Sequence, residues 1–281
     1  MNASRPQQAD AEYVYDSAHQ PHTAVRELAA LVAYRDFVLQ LVARNITVRY
    51  KRSGLGIIWS MLAPLLSLLV LSLVFTQVFR PTTPNYPLYL FPGLLLWTFF
   101  TQTTSIITAE VVGSIELWKR VYTPRGAFAV ATTLTGLVHL CLALVPLVFL
   151  MLVVHAPLTA ALLVVPYAAL CTALFALGLG LAVASVAGQF ADVADMFQIV
   201  LATWMYFTPV IYPRDVLPAS LQAAWQLNPV AHLVDAFRQP FYEGRVPDAP
   251  LLVTIGAIGV GTAAVGWWLF TRTAEEFARR G

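Results

Sequence analysis

The stretch RDFVLQLVARNITVRYKRSGLGIIWSMLAP, Arg35 to Pro64, is amphipathic and basic in its first half. From Ser53 on it carries no charge, and the charge-free run continues to Phe79. At about 100° per residue, Asp36, Gln40, Arg44, Thr47 and Lys51 fall on one narrow arc. Phe37, Val38, Leu41, Val42, Ile46 and Val48 spread over the opposite side. A helix with those two faces lies in a membrane interface, apolar side down, with its cations near anionic lipid headgroups. Arg49, Lys51 and Arg52 stand just before the hydrophobic run, where the positive-inside rule places the cytoplasm. The pattern predicts an interfacial helix over residues 34–53 that turns at Ser53-Gly54 and enters the bilayer.

Composition extends that reading to the whole chain. Of its 281 residues, 58% are hydrophobic and 11% charged, against about 25% charged in a typical soluble domain. So few charges cannot coat a water-facing surface, and an all-α polytopic membrane protein is expected. Residues 1–33 form a polar segment. Met1 to Val25 lacks an apolar core, so no cleavable signal peptide is expected. Cys141 and Cys171 lie inside apolar runs without ligand-type neighbours and read as small packing residues.

Spans need about 20 apolar residues, and the charge-free runs supply about six within residues 54–271. The first is Gly54 to Phe79, closed by Arg80-Pro81, with the exposed turn PTTPNYP after it. The second runs from Leu88 to about Ala109, and a charged loop follows at 110–125. Gly126 to Ala191 is uncharged and too long for one span, and His155-Ala156-Pro157 divides it into a third and a fourth. Asp192 and Asp195 mark a short loop before a fifth helix ending near Phe207. The sixth, Leu251 to Phe270, precedes a charged tail at 272–281.

Residues 208–250 differ from all of these, with many prolines and aromatics and scattered charges. Two short helical pieces, Ala219–Leu227 and Val230–Tyr242, flank the turn Asn228-Pro229. Neither is long enough to span, and re-entrant or interfacial helices fit best. Cations gather in the N-terminal helix, the 110–125 loop and the tail, which places both termini in the cytoplasm.

Nothing in the runs resembles a catalytic centre. His139 and His155 are the titratable residues within them, and neither stands among others at one depth. His139 reads as a satisfied packing histidine. No GxxxxGK[ST] phosphate loop is present. Gly256, Gly259, Gly261 and Gly266 follow no strand and lie within a span, so they read as close helix packing. The loop EVVGSIELWKRVYTPR is more informative. It reads either as a solvated turn or as a docking knob, with Leu117 and Trp118 for a partner's cleft and Glu116, Lys119 and Arg120 around them.

Several strings, in order, resemble the permease subunit of type-2 ABC exporters of lipid-linked polysaccharides such as O-antigen, capsule or teichoic acid. They are Arg35-Asp36, VRYKRSGLG at 48–56, Trp59 to Pro64, LWKRVYTPR at 117–125, TPVIYP at 208–213 and Leu227-Asn228-Pro229. Two departures stand out: Ala191 precedes Asp192 where the family has arginine, and Ser114-Ile115-Glu116 replaces the usual asparagine.

The resemblance implies an interface helix, a coupling helix over about Gly113–Lys119 that meets an ABC ATPase, and outer-side gate helices within Val210–Tyr242. It implies a homodimer in the bacterial inner membrane, with no cofactor of its own, ATP and magnesium being held by the partner ATPase. The cargo would be a lipid-linked glycan, and no nucleic acid partner is expected. Arg44, Arg49, Lys51 and Arg52 would hold a pyrophosphate headgroup or anchor the helix to anionic lipid. Trp97, Phe99, Phe100, Trp204, Tyr206, Phe207, Tyr212 and Trp225 would form an interfacial aromatic belt or line the translocation path. The alternatives are a type-2 permease for a drug or simple lipid and a membrane-embedded glycosyl- or acyltransferase.

Overall fold

The computed structural model describes residues 24–51, 58–79, 83–114, 123–190, 192–213 and 225–279. All regular elements among them are helical. In order they are α1 (Ala24–Ala33), α2 (Arg35–Tyr50), α3 (Ile58–Phe79), α4 (Tyr86–Gly113) and α5 (Ala127–Val153). After a 3-10 turn at Ala160–Val164 come α6 (Val165–Ala187), α7 (Asp192–Phe207), α8 (Pro229–Tyr242) and α9 (Ala249–Arg279).

Four helical stretches are long and apolar enough to cross a bilayer: Tyr86–Gly113, Ala127–Val153, Ala160–Ala187 and Ala249–Thr273. In α3 the apolar helix is Met61–Phe75. At 16 residues, α7 is about 24 Å long, short of the roughly 30 Å of a hydrocarbon core. The long uncharged run breaks where expected. His155 takes a left-handed φ of 54°, and Pro157 follows in an irregular link that does not continue α5.

Several boundaries differ from the sequence expectation. Asp192 and Asp195 form the first turn of α7 instead of a loop before it, because carboxylates near free N–H groups favour a helix start. α4 continues past Glu110 to Gly113, since the Glu110 carboxylate accepts from Thr132 Oγ1 of α5 and is not left bare. α9 continues as helix to Arg279. Within the expected polar segment, Ala24–Ala33 is a helix packed onto the body of the protein.

α4 is the centre. Most of its residues are buried, packed between α3, α5, α6 and α8. In a bilayer the lipid is as apolar as leucine, so close packing, more than dehydration, holds such helices together. α9 against α6 shows the device. A Cβ on Gly266 would lie 1.9 Å from the Gly178 carbonyl oxygen, one on Gly178 2.2 Å from that of Thr262, and one on Gly259 2.6 Å from that of Cys171. These backbones touch, and Gly259 and Gly266 of α9 are packing residues. Gly261 differs from the others in having no atom within 4 Å of a Cβ placed there.

The apolar side of α2 is not given over to lipid alone. Val38 and Leu41 are buried against Ala127, Phe128 and Ala131 of α5, and Phe37 meets Phe128 edge-on at 6.3 Å. Val48 and Leu39 stay exposed. The contact brings the basic side of α2 beside the polar side of α5.

Candidate functional site

Two recesses gather the residues that the sequence singled out. The first, about 670 Å³, lies between α2, α3, α4 and α5. Arg44, Asn45, Arg49 and Tyr50 line it from α2, Thr98, Gln102, Thr103 and Glu110 from α4, and Thr132, Thr135 and His139 from α5. The α4 residues Thr98, Gln102 and Glu110 recur at multiples of four, and Thr132, Thr135 and His139 follow a three–four spacing. Each set therefore forms one stripe.

Arg44 and Arg49 are exposed, and neither has an ion-pair partner among the described residues. Glu110 is engaged by Thr132. His139 meets Tyr50 edge-on at 5.9 Å. Its buried Nε2 and the buried Tyr50 hydroxyl lack hydrogen-bond partners among the described residues, which corrects the reading of His139 as a satisfied packing residue. The histidine is on this wall because α2 crosses α5 there. Two guanidiniums without an ion pair among the described residues, even with the Glu110 carboxylate in the same recess, suit an anion, since a guanidinium presents a fork of donors to phosphate. Lys51 is exposed at the C-cap of α2, outside this lining. Arg52 lies outside the described residues, as do Glu116, Leu117, Trp118, Lys119 and Arg120 of the proposed knob.

The second recess is an open groove of about 680 Å³ at the far end of α7. Trp204, Tyr206, Phe207, Tyr212 and Trp225 all line it. Tyr206 and Phe207 are 74% and 61% exposed, so their rings are free to be covered by something else. Trp97 and Phe100 belong elsewhere. Phe100 is fully buried, with Phe175 at 5.4 Å and Trp204 at 5.9 Å, and presents no surface to a path. Trp97 and Phe99 are buried beside it, Phe99 with an edge on the first recess. These aromatics sit within about one turn of α4, and spacing along one helix does not reveal which of them is covered.

The groove is held by groups that the sequence reading passed over. Asn228 is buried and caps α8, its Oδ1 accepting from Val230 N–H and from Trp204 Nε1–H, both at 3.1 Å. Its Nδ2 donates to the Phe207 carbonyl at 3.1 Å and to Thr208 Oγ1 at 3.0 Å. The Asn-Pro pair, read as a turn, is thus an N-cap followed by proline at N1. The 208–213 string is clasped from α4 and α8. Tyr86 Oη donates to the Ile211 carbonyl at 2.6 Å and Tyr89 Oη to that of Tyr212 at 3.0 Å. Arg238, buried, donates through Nη2 to the carbonyls of Pro209 and Val210 at 2.9 and 3.0 Å, its Cζ lying 3.9 Å above the Tyr89 ring. Burial, and then the neighbouring Tyr89, push the Tyr212 phenol above its usual range. It stays a neutral donor to the Tyr206 carbonyl. Of the two expected short helices, α8 is present as drawn, and residues 219–224 of the other lie outside the described residues.

The family described as "ABC-2 type transporter" matches this chain over residues 37–242. The chain is 31% identical over 258 residues to the O-antigen export system permease protein RfbA of Myxococcus xanthus, covering 90% of this chain and 98% of that protein. A Klebsiella pneumoniae protein of the same name is 25% identical over 86% of this chain and 94% of its own length. The polysialic acid transport protein KpsM of Escherichia coli is 25% identical over 84% and 92%.

Proposed function

Because this chain belongs to the ABC-2 type transporter family, we propose that it is the membrane-spanning permease of an ATP-driven exporter. Its cargo is a lipid-linked polysaccharide crossing the cytoplasmic membrane. The observation that carries this is the 31% identity running over 98% of an O-antigen export permease. ATP and magnesium belong to a separate ABC ATPase subunit that docks on the 110–125 loop, and two copies of this chain enclose the path. The names of the relatives favour a glycan over a drug or simple lipid, and they describe transport proteins, not transferases.

In this reading both termini and the basic cavity face the cytoplasm, and the aromatic groove faces outward. The exposed guanidiniums of Arg44 and Arg49, which have no ion pair among the described residues, support a role in receiving the phosphates of the lipid carrier. Aromatic rings at the other end suit release, because flat apolar rings stack on sugar faces without holding charge. Co-purification of the tagged chain with an ABC ATPase from the same cell tests the reading. A complex present for the wild type and lost in the Leu117→Ala/Trp118→Ala variant supports it. A wild-type chain that never brings an ATPase with it overturns it.

A further inference from the structure

A third recess, about 380 Å³, lies between α4 and α7, lined by Trp97, Thr101, Gln102, Ser105 and Gln198 with apolar residues around them. No charged side chain lines it among the described residues. Ser105 Oγ donates to Gln198 Oε1 at 3.2 Å. The Gln198 amide N–H groups and the whole Gln102 amide have no hydrogen-bond partner among the described residues, and both side chains are exposed. Thr101 spends its hydroxyl proton on the Trp97 carbonyl at 3.0 Å and keeps its lone pairs.

Position gives these amides their meaning. Gln102 is eleven residues from the Gly113 end of α4, about 16 Å at 1.5 Å per residue, near the middle of a hydrocarbon core of roughly 30 Å. A primary amide with free donors does not face lipid there, because hydrocarbon offers it no partner. Gln102 also borders the basic cavity. On α7, Gln198 stands six residues, less than two turns, before Trp204 of the aromatic groove. The uncharged recess therefore lies between the recess lined by Arg44 and Arg49 and the aromatic groove.

We propose that Gln102, Ser105 and Gln198 form a rung that hydrogen-bonds the hydroxyl groups of uncharged sugar residues as the glycan passes. The proposal rests on the polysaccharide-export reading and adds to it a mid-membrane subsite and a chemical class. An amide offers a donor pair and an acceptor side by side, which matches neighbouring hydroxyls on a sugar ring. Without a fixed charge the rung releases what it binds.

The test uses the full chain with its ATPase in the producing cell, in a Cys141→Ala/Cys171→Ala background. Gln102→Cys and Gln198→Cys are each exposed to a membrane-impermeant, negatively charged methanethiosulfonate. Modification at both positions is expected. Reaction with an apolar maleimide alone means a lipid-facing surface, and disulfide formation between copies without modification means a packing face. Either result overturns the rung. In parallel, the Gln102→Leu/Gln198→Leu variant should lower surface glycan about fivefold with ATPase co-purification unchanged. Gln102→Asn/Gln198→Asn, which keeps the amides, should recover part of it. If the wild-type chain places no glycan on the surface, the export reading fails. If it does and the leucine variant equals it, the rung alone fails.

Discussion

The Glu27 carboxylate accepts the backbone N–H of Gly126 at 3.2 Å, joining the N-terminal helix α1 to the residue that caps α5. Glu27 is buried, and Trp267 of α9 donates through Nε1 to the Ala24 carbonyl at 3.1 Å beside it. Three segments far apart in the chain therefore meet where the 110–125 loop returns to the bundle. Charge at a helix N-terminus stabilises it, and a hydrogen bond to a charged group contributes about 1.5–3 kcal/mol. Glu27→Ala should lower the Tm of the solubilised protein by several degrees, and Glu27→Gln by less, since the amide oxygen still accepts. An unchanged Tm for Glu27→Ala would remove α1 from the structural account.

The α6–α9 contact has no room for a side chain. Gly266→Val puts atoms where the Gly178 carbonyl stands, and the helices must separate. Monodisperse protein should be lost on size exclusion, whereas Gly261→Val, at a position with nothing within 4 Å, should behave as wild type. Equal behaviour of the two variants would mean that the contact tolerates movement.

Asn228 serves four groups at once, and its loss should loosen the aromatic groove. Asn228→Asp keeps the acceptor for Val230 and Trp204 but loses the donors to Phe207 and Thr208. Asn228→Ala loses all four, and an N-cap alone is worth about 1 kcal/mol. Stability should fall in the order wild type, Asp, Ala, with limited proteolysis near 208–228 rising in step. A single cut rate for all three would refute the hub.

Buried and exposed aromatics should separate in their effects. Phe100→Ala opens a cavity in a closed cluster and should cost about 3–5 kcal/mol, read as poor recovery of folded protein. Tyr206→Ala and Phe207→Ala leave exposed sites and should fold normally while reducing surface glycan. Normal export by the double variant would assign those rings to the lipid interface.

Arg44 and Arg49 face the cavity without ion-pair partners among the described residues. Arg44→Gln/Arg49→Gln should therefore leave membrane insertion intact while lowering glycan export. Equal loss of both, measured by fractionation and by surface glycan, would make the two residues lipid anchors and nothing more.

Sequence alone determined the all-helical membrane class, the break at His155, the basic helix before the first apolar run, and the short helix after Asn228-Pro229. Each of these is local. Apolar run length, helical period, proline and charge act within a few residues, so they can be read along the chain. The tertiary structure decided what those segments face. It sent Phe100 into the core and Tyr206 to the surface, though both are aromatics near one another in the expected belt. It turned His139 from packing to cavity wall, and it tied Glu27 to Gly126 across 99 residues. The reason is physical. In a chain apolar nearly everywhere, hydrophobicity no longer distinguishes core from lipid-facing surface, so which side of a helix is covered depends on where backbones can approach closely. That approach is set at Gly178 and Gly266 and by the clasp of Arg238 on Pro209 and Val210, contacts between segments distant in sequence.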